Sequence, residues 1–217
     1  MIWNIFKKLI NSWKSIITFA PEFKNLLDSE TRILTITGNL IRSLLFGIST
    51  ATVFIAIYSN ITPLMRNVES ILAIIISFIA SSLCADSDVI SWIHKHYGSI
   101  IILDCIIMAI ANSFVIINPN IRIIIVATVN AALFKLWMVG YNSMFNNKLS
   151  NDDLTKWNLI SSNASELGAL LGILVFFILE FCNIHISIAM ACIIQVIAII
   201  IDGVCDNIVH RHLCKEK

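Results

Sequence analysis

The chain contains several apolar stretches that are each long enough to cross a lipid bilayer as a helix. An α-helix rises about 1.5 Å per residue, so about 20 apolar residues span the roughly 30 Å hydrocarbon core. Apolar residue types make up 58% of the 217 residues, and the mean hydropathy is +0.85, far above what a soluble core requires. We therefore predict an all-α fold, a polytopic membrane helix bundle forming one domain.

About six transmembrane helices account for most of the sequence. Their predicted positions are approximately 33–58, 68–84, 99–117, 121–139, 159–181 and 184–201. Six crossings bring both chain ends to the same side of the membrane. The predicted organisation is a transmembrane domain over residues 25–206 and a polar tail over 207–217.

The first 24 residues have the pattern of an amphipathic helix. Apolar residues such as Trp3 and Phe6 recur at helical spacing, while Lys7 and Lys14 share the opposite face. This pattern is typical of an interfacial helix that lies on the membrane surface, and we predict one in residues 1–24. Such a helix serves either as an anchor without a specific partner or as a docking element, and the sequence leaves both open.

The distribution of basic residues predicts the orientation, because Lys and Arg in short loops are retained in the cytoplasm. In the six-span arrangement one side carries Lys7, Lys8, Lys14, Lys24, Lys95, Lys148, Lys156, Arg211, Lys215 and Lys217, and the other carries Arg66 and Arg122. Both termini are therefore predicted to be cytoplasmic, with the chain in the inner (plasma) membrane of a bacterium. The net charge of +1 gives no broad basic surface for nucleic acid, so the lipid bilayer is the expected surrounding.

Four charged residues lie in the cytoplasmic half of the predicted spans, at depths of roughly 8 to 13 Å from the cytoplasmic edge. They are Arg42, Asp104, Lys135 and Glu166. An unpaired charge at such a depth costs about 3 kcal/mol or more, so pairing is expected. The fourth and fifth spans are neighbours in the chain, which favours a pair between Lys135 and Glu166. Arg42 with Asp104 is the second expected pair.

Two interpretations of these charges remain open. In the first, the pairs fix the register of the helices or face a water-filled crevice. In the second, they line a path for a substrate or a proton, the use that buried ions in membranes most often have. The candidate path residues are Arg42, Lys135, Glu166, Asp104, Asn39 and Asn130.

Small and capping residues mark candidate packing or gating positions. Gly168 and Gly172 lie on one face of the fifth span and let a neighbouring helix approach closely. Asp86 and Gly98 lie at the two ends of the connection between the second and third spans. We assign all four to gating or helix packing.

Several classes of function lack their motifs. The six cysteines show no paired CxxC spacing, which argues against a disulfide framework. The histidine pairs His94/His96 and His210/His212 do not match the ligand spacing of zinc modules, so neither a metal nor a cofactor is expected. Neither GxSxG, HExxH nor a Gly-rich phosphate loop occurs, and an enzyme is not predicted.

The connection between the second and third spans resembles that of the major facilitator superfamily of transporters. In that family the connection has the pattern GxLADRxGRR. Here Leu83, Ala85 and Asp86 match its leading part, and Lys95 and Gly98 resemble its tail after several extra residues.

The fifth span resembles the same family. Its pattern there is SxLGxxxGPxxGG, and Ser165, Leu167, Gly168 and Gly172 match the first part. The sequence then departs from the pattern, with Ile173 at the proline position, so the antiporter signature is incomplete.

The resemblance covers one six-helix half of such a transporter and implies a central cavity bordered by its first, second, fourth and fifth helices. It also implies alternating access between two halves, which requires a second copy or another membrane protein as the partner. The leading hypothesis is a half-sized transporter of a small solute that works as a dimer. The alternative is a non-transporting interaction protein, such as an immunity or accessory subunit, or a truncated remnant of a transporter.

Overall fold

The computed structural model describes residues 13–59, 61–84, 86–146 and 148–215, and all regular structure within them is helical. The helices are α1 (Ser29–Ser59), α2 (Pro63–Leu83), α3 (Ser87–Ile117), α4, α5 (Asn151–Phe181) and α6 (Ile188–Lys215). Helix α4 comprises an α-helix at Pro119–Ile125, a π-helical turn at Val126–Asn130 and an α-helix at Ala131–Asn146. The predicted all-α fold is confirmed.

Four of these helices, α1, α3, α5 and α6, are long and apolar enough to cross a membrane. Helix α2 contains a shorter apolar stretch, Asn67–Leu83. Many large apolar side chains on the outside of the bundle are exposed, as expected for helices that face lipid rather than water. The chain is thus compatible with a multi-pass membrane protein.

The helices extend well beyond the predicted spans. Helix α3 begins at Ser87 rather than near residue 99, because Asp86 caps it by accepting hydrogen bonds from the backbone N–H of Asp88 (2.7 Å) and Val89 (3.4 Å). The predicted connection at 86–98 is therefore the cap and first turns of a helix. Hydropathy marks where an apolar run ends, but the helix continues outside it.

Helices also extend beyond the predicted spans at the loop between α4 and α5 and in the C-terminal tail. Helices α4 and α5 are separated only by residues 147–150, where the Ser150 hydroxyl accepts a hydrogen bond from the Asp153 N–H at 3.3 Å. Helix α6 runs on to Lys215, so most of the predicted polar tail at 207–217 is helical. Buried Val209 and Leu213 stabilise this extension.

Part of the predicted interfacial helix packs against the bundle. Residues 1–12 lie outside the described residues, but 13–17 form a helical turn whose Ile16 is buried. Ala20 and Phe23 are buried as well, and the Phe23 ring meets the Trp157 ring at a centroid distance of 5.3 Å. Ile17 remains 69% exposed, so the segment keeps an apolar side chain on the outside of the bundle.

The Arg32 side chain holds the segment in place by hydrogen bonds to the backbone of the segment. Phe19 and Ala20 adopt φ values of 55° and 49°, a left-handed conformation that residues with a β-carbon seldom adopt. The Arg32 guanidinium donates to the Phe19 carbonyl at 2.7 Å and to the Ala20 carbonyl at 3.2 Å. These hydrogen bonds tie the left-handed turn to the first turn of α1.

The helices pack in the order α5, α1, α6, α3, α4, α2. Exchanging α1, α2 and α3 with α4, α5 and α6 reproduces the same pattern: the α1–α5 contact corresponds to α4–α2, and α1–α6 to α4–α3. The α3–α6 contact corresponds to itself. The bundle therefore has the contact pattern of two interlocked three-helix units.

Helices α1 and α5 approach closely enough for their backbones to touch. A β-carbon on Gly168 would overlap the Leu40 carbonyl oxygen, and one on Gly172 would overlap that of Leu44. Gly47 of α1 lies against Gly172 in the same contact. Because both contacts advance along both helices together, α1 and α5 are parallel.

We predict that Gly168→Leu destabilises the bundle, because the new side chain must push α5 away from the α1 backbone. Overpacking of this kind costs roughly 1 to 3 kcal/mol. Thermal unfolding of the detergent-purified protein should show a clearly lowered melting temperature. The matched control is Ala189→Leu at an exposed position of α6, which should leave it nearly unchanged; an equal response of both variants would contradict the close packing.

We also predict a pH-dependent contribution from Asp28, which caps α1 by accepting a hydrogen bond from the Thr31 N–H at 2.9 Å. Burial acts to raise the pKa of Asp28, but its hydrogen bonds with Thr31 and Glu30, together with the nearby His212, outweigh this and lower the pKa. The unfolded-state pKa is about 3.9, so the stabilisation is present above that pH and is lost as the pH falls through the folded-state pKa.

Asp28→Ala should therefore lower the melting temperature by a few degrees at pH 7 and by progressively less below pH 4. Asp28→Asn, which retains a capping oxygen, should lose less at neutral pH. A difference between Asp28→Ala and the unchanged protein that stays constant down to pH 2 would contradict the assignment.

Candidate functional site

A partly buried ion pair joins three helices near their centres. The Arg42 guanidinium on α1 donates to the Asp202 carboxylate on α6 at 3.0 Å and to the Ser165 hydroxyl on α5 at 3.1 Å. The Ser165 hydroxyl in turn donates to the side-chain amide oxygen of Asn39 at 3.4 Å. Both charged side chains retain some access, with exposures of 25% for Arg42 and 19% for Asp202.

A second carboxylate, one turn further along α6, joins two more helices. Asp206 accepts a hydrogen bond from the Trp137 indole N–H of α4 at 2.7 Å. It also accepts one from the Tyr97 hydroxyl of α3 at 3.4 Å, and the Asp206 side chain is buried. Asp202 and Asp206 together therefore connect α6 to α1, α3 and α4.

Arg42 lines three cavities, and two of them also contain other polar groups of this site. The larger of these two, here called the polar cavity, has a volume of about 380 Å³ and lies between α1, α4 and α5. Its lining includes Asn39, Arg42, Trp137, Asn158, Ser162 and Ser165. Amide, hydroxyl and guanidinium groups thus line a space that is open to the outside of the bundle, since Ser162 is exposed.

The smaller cavity, here called the acidic cavity, has a volume of about 160 Å³ and lies between α1, α3, α4 and α6. Its lining includes Arg42, Asp104, Trp137, Asp202 and Asp206. Arg42 and Trp137 line both cavities. A change in the position or charge of either side chain therefore affects both spaces.

The acidic cavity holds more acid than base. Three carboxyl groups face it with one guanidinium, and one Asp104 oxygen is buried without a hydrogen-bond partner among the described residues. If all three carboxyl groups were ionised, the site would carry an uncompensated negative charge in a low-dielectric interior, which is strongly unfavourable. The arrangement favours uptake of positive charge.

The structure brings three of the predicted path residues, Asn39, Arg42 and Asp104, to the two cavities. The predicted pair between Arg42 and Asp104 is wrong, because the salt bridge of Arg42 is with Asp202. The last predicted span ends at residue 201, directly before Asp202. Since α6 continues beyond it, Asp202 lies in the middle of the helix, level with Arg42.

The predicted pair between Lys135 and Glu166 is also wrong. Lys135 lies near the Cys84 thiol at the end of α2, whereas Glu166 is exposed on α5. Among the described side chains, no ion pair joins Lys135 and Glu166. The backbone of Asn130 lies in the π-helical turn of α4, and its side chain lies outside the described part of the structure.

The four packing residues lie at helix contacts and a helix cap. Asp86 caps α3, and Gly168 and Gly172 form the α5 side of its contact with α1. A β-carbon on Gly98 would lie 3.1 Å from the Asn207 side-chain oxygen, so this glycine permits the close approach of α3 to α6.

Sequence reasoning missed the residues that complete the site: Tyr97, Trp137, Asp202 and Asp206. The available signal was the spacing of the two aspartates, which are four residues apart and therefore on one helical face directly after an apolar run. Among the residues that the structure describes, no three His, Cys, Asp or Glu side chains form a group that could hold a metal ion.

Comparison of the chain with protein-family models, with curated proteins and with solved structures gave no match. The function of this chain is therefore inferred from its own residues and their geometry.

We predict that Arg42 and Asp202 are energetically coupled. Arg42→Met or Asp202→Leu alone leaves an unpaired charge in the interior and should cost about 3 to 5 kcal/mol, whereas the double variant should cost much less than the sum. Thermal unfolding in detergent measures this. The matched control is the surface pair of Lys156 and Asp153, in which Lys156 Nζ lies 3.8 Å from Asp153 Oδ1. This pair should couple by less than about 1 kcal/mol. Additive losses at Arg42 and Asp202 would contradict the coupling.

Proposed function

We propose that the chain is a half-sized, facilitator-like carrier that moves a small polar solute across the bacterial inner membrane. The observation that carries the proposal is the polar cavity, whose lining includes Arg42. Its volume of about 380 Å³ falls within the range of small-molecule sites, and its amide and hydroxyl groups suit a hydrogen-bonding solute. Among the described residues that line the cavity, Arg42 is the one with a cationic side chain.

The exposure of the polar cavity supports a dimer. Arginine, amide and hydroxyl groups at mid-helix depth are unfavourable against lipid chains unless protein or water covers them. A second copy that faces the same cavity would enclose these groups and complete the path. In this arrangement the substrate lies between two bundles rather than within one.

The correspondence between the helices α1–α3 and α4–α6 also supports a carrier. Many transporters are built from inverted repeats, with the substrate near the bilayer midplane at the repeat interface. Here α1 and α4 correspond to each other under the exchange, and both contribute to the polar cavity through Arg42 and Trp137. The major facilitator resemblance implies a cavity bordered by the first, second, fourth and fifth helices, and of these α1, α4 and α5 line the polar cavity.

The proposal includes six spans, with α2 and α4 crossing the membrane alongside the four long apolar helices. The beginning of α1 lies beside the end of α6, where Glu30 and His212 approach to 3.5 Å. Lys148, Lys156 and Arg211 belong to the same end of the bundle. The positive-inside rule then supports a cytoplasmic location for both termini.

We predict that the polar cavity is reached by water from both sides of the membrane. Ser162→Cys should react with a membrane-impermeant maleimide in both right-side-out and inverted vesicles, because alternating access opens the cavity to each side in turn. Leu174→Cys, exposed on the same helix but outside the cavity, should react in neither. The unsubstituted protein corrects for its native cysteines.

The oligomeric state and a flux measurement decide between carrier and interaction protein. Native mass spectrometry should show a homodimer, and proteoliposomes loaded with a mixture of labelled small polar metabolites should exchange at least one of them. Arg42→Met should abolish that exchange. Ser162→Cys labelling from one side only, together with a stable complex with another membrane protein and no exchange, would overturn the carrier in favour of the interaction protein.

A further inference from the structure

Titratable side chains line the contact between α3 and α6. On α6 they are Asp202, Asp206 and His210, each four residues from the next and therefore on one face. On α3 they include His94 and Tyr97, which are one turn apart. We call these five side chains the titratable stripe.

The two faces of the stripe are in contact. The Tyr97 hydroxyl donates to Asp206 at 3.4 Å, and the Tyr97 ring lies 5.2 Å from the His210 ring. The His94 ring lies 5.9 Å from that of His210. The approach is close because Gly98 and Gly203 face the opposite helix without a side chain.

The stripe runs from one end of the bundle to the acidic cavity. His94 lies in the second turn of α3, and His210 lies five residues before the end of α6; both are partly exposed. Asp202 lies eight residues before His210, or about 12 Å deeper along the helix. Imidazole, phenol and carboxyl groups therefore connect the surface of the bundle with its interior.

We propose that the titratable stripe is a proton pathway that leads from the cytoplasmic end of the bundle to Asp206. This inference rests on the proposed carrier function, for which it names the proton as the coupling ion. A proton from water at the end of the bundle reaches His210 Nε2, a buried nitrogen without a hydrogen-bond partner among the described residues, and His210 passes it to the Tyr97 oxygen. The Tyr97 hydroxyl gives its own proton to the Asp206 carboxylate, so that His210 and Tyr97 return to their starting states and Asp206 gains one proton.

The proton changes the electrostatics of the substrate site. While Asp206 is ionised, it faces the Arg42–Asp202 pair across the acidic cavity and competes for the single guanidinium. Once it is protonated, the charge balance around Arg42 shifts toward positive, which favours an anionic or electron-rich solute in the polar cavity. Proton uptake and solute binding at Arg42 would thereby support each other.

The groups that act on the pathway come from every helix packed around it. Asp206 is faced by Arg42 of α1, by Tyr97, Asp104 and Cys105 of α3, by Trp137 and Tyr141 of α4, and by Asp202 and Cys205 of α6. His210 is faced by His94 and Tyr97 of α3 and has Arg211 beside it on α6. The charged groups around Asp206 thus comprise two carboxyl groups and one guanidinium.

Infrared difference spectroscopy of the protein in nanodiscs tests the end of the pathway without any solute. A step in pH should change the C=O stretching band of a protonated interior carboxyl group. Asp206→Asn, which keeps an oxygen for the Trp137 N–H, should remove that band. Asp88→Asn, at an exposed position of α3, should leave it unchanged. Retention of the full band in Asp206→Asn would overturn the proposal.

Kinetics test the route. After a rapid pH jump, His210→Gln and Tyr97→Phe should slow the change of the carboxyl band by roughly tenfold or more, because they remove proton-transfer groups. They should not change its final size. His96→Gln, a histidine of α3 outside the stripe, is the matched control and should keep the original rate. An unchanged rate in both His210→Gln and Tyr97→Phe would overturn the route.

This experiment separates the two proposals. Melting temperatures and elution profiles identify any variant that fails to fold, and the conservative Asp206→Glu then replaces Asp206→Asn, with a shifted band as the expected result. A normal proton response without solute exchange would leave the proton pathway standing and refute the carrier. Solute exchange without a band that depends on Asp206 would refute the pathway and leave the carrier standing.

Discussion

The cost of burying charge in an apolar interior is the constraint on which this structure depends. Arg42 has several donors on a planar guanidinium, and it uses them to hold Asp202 and Ser165 at once. The interaction fixes α1 relative to both α5 and α6, because a shift of either helix would leave a charge or a donor unpaired. Asp206 extends the same constraint to α3 and α4.

Close backbone packing makes these polar contacts possible. Gly168 lies one turn from Ser165 on α5, and Gly203 directly follows Asp202 on α6. Where glycine lets two helices touch, the neighbouring short polar side chains can reach across the interface. Small residues and polar residues therefore act as one unit here: the glycines set the distance between helices, and the hydrogen bonds fix their register.

The sequence predicted the helical fold and part of the site, because apolar runs and isolated charges within them are visible without a structure. Asn39, Arg42 and Asp104 were identified in this way. The pairs were not, for two physical reasons. Depth along a helix does not give its rotation, which separates Lys135 from Glu166. An apolar run also does not reveal how far a helix extends beyond it, which hid the central position of Asp202.

The location of the acidic residues connects the site with the architecture of the bundle. The most extensive contacts lie between the unit formed by α1, α2 and α3 and the unit formed by α4, α5 and α6. The contact between α3 and α6 is unchanged when these two units are exchanged. Asp202 and Asp206 lie in that self-corresponding contact, whereas the polar cavity lies beside α1 and α4. A charge gained between α3 and α6 therefore acts on both units at their common interface. Because Arg42 and Trp137 line both cavities, such a change reaches the polar cavity through side chains already in contact with the two aspartates.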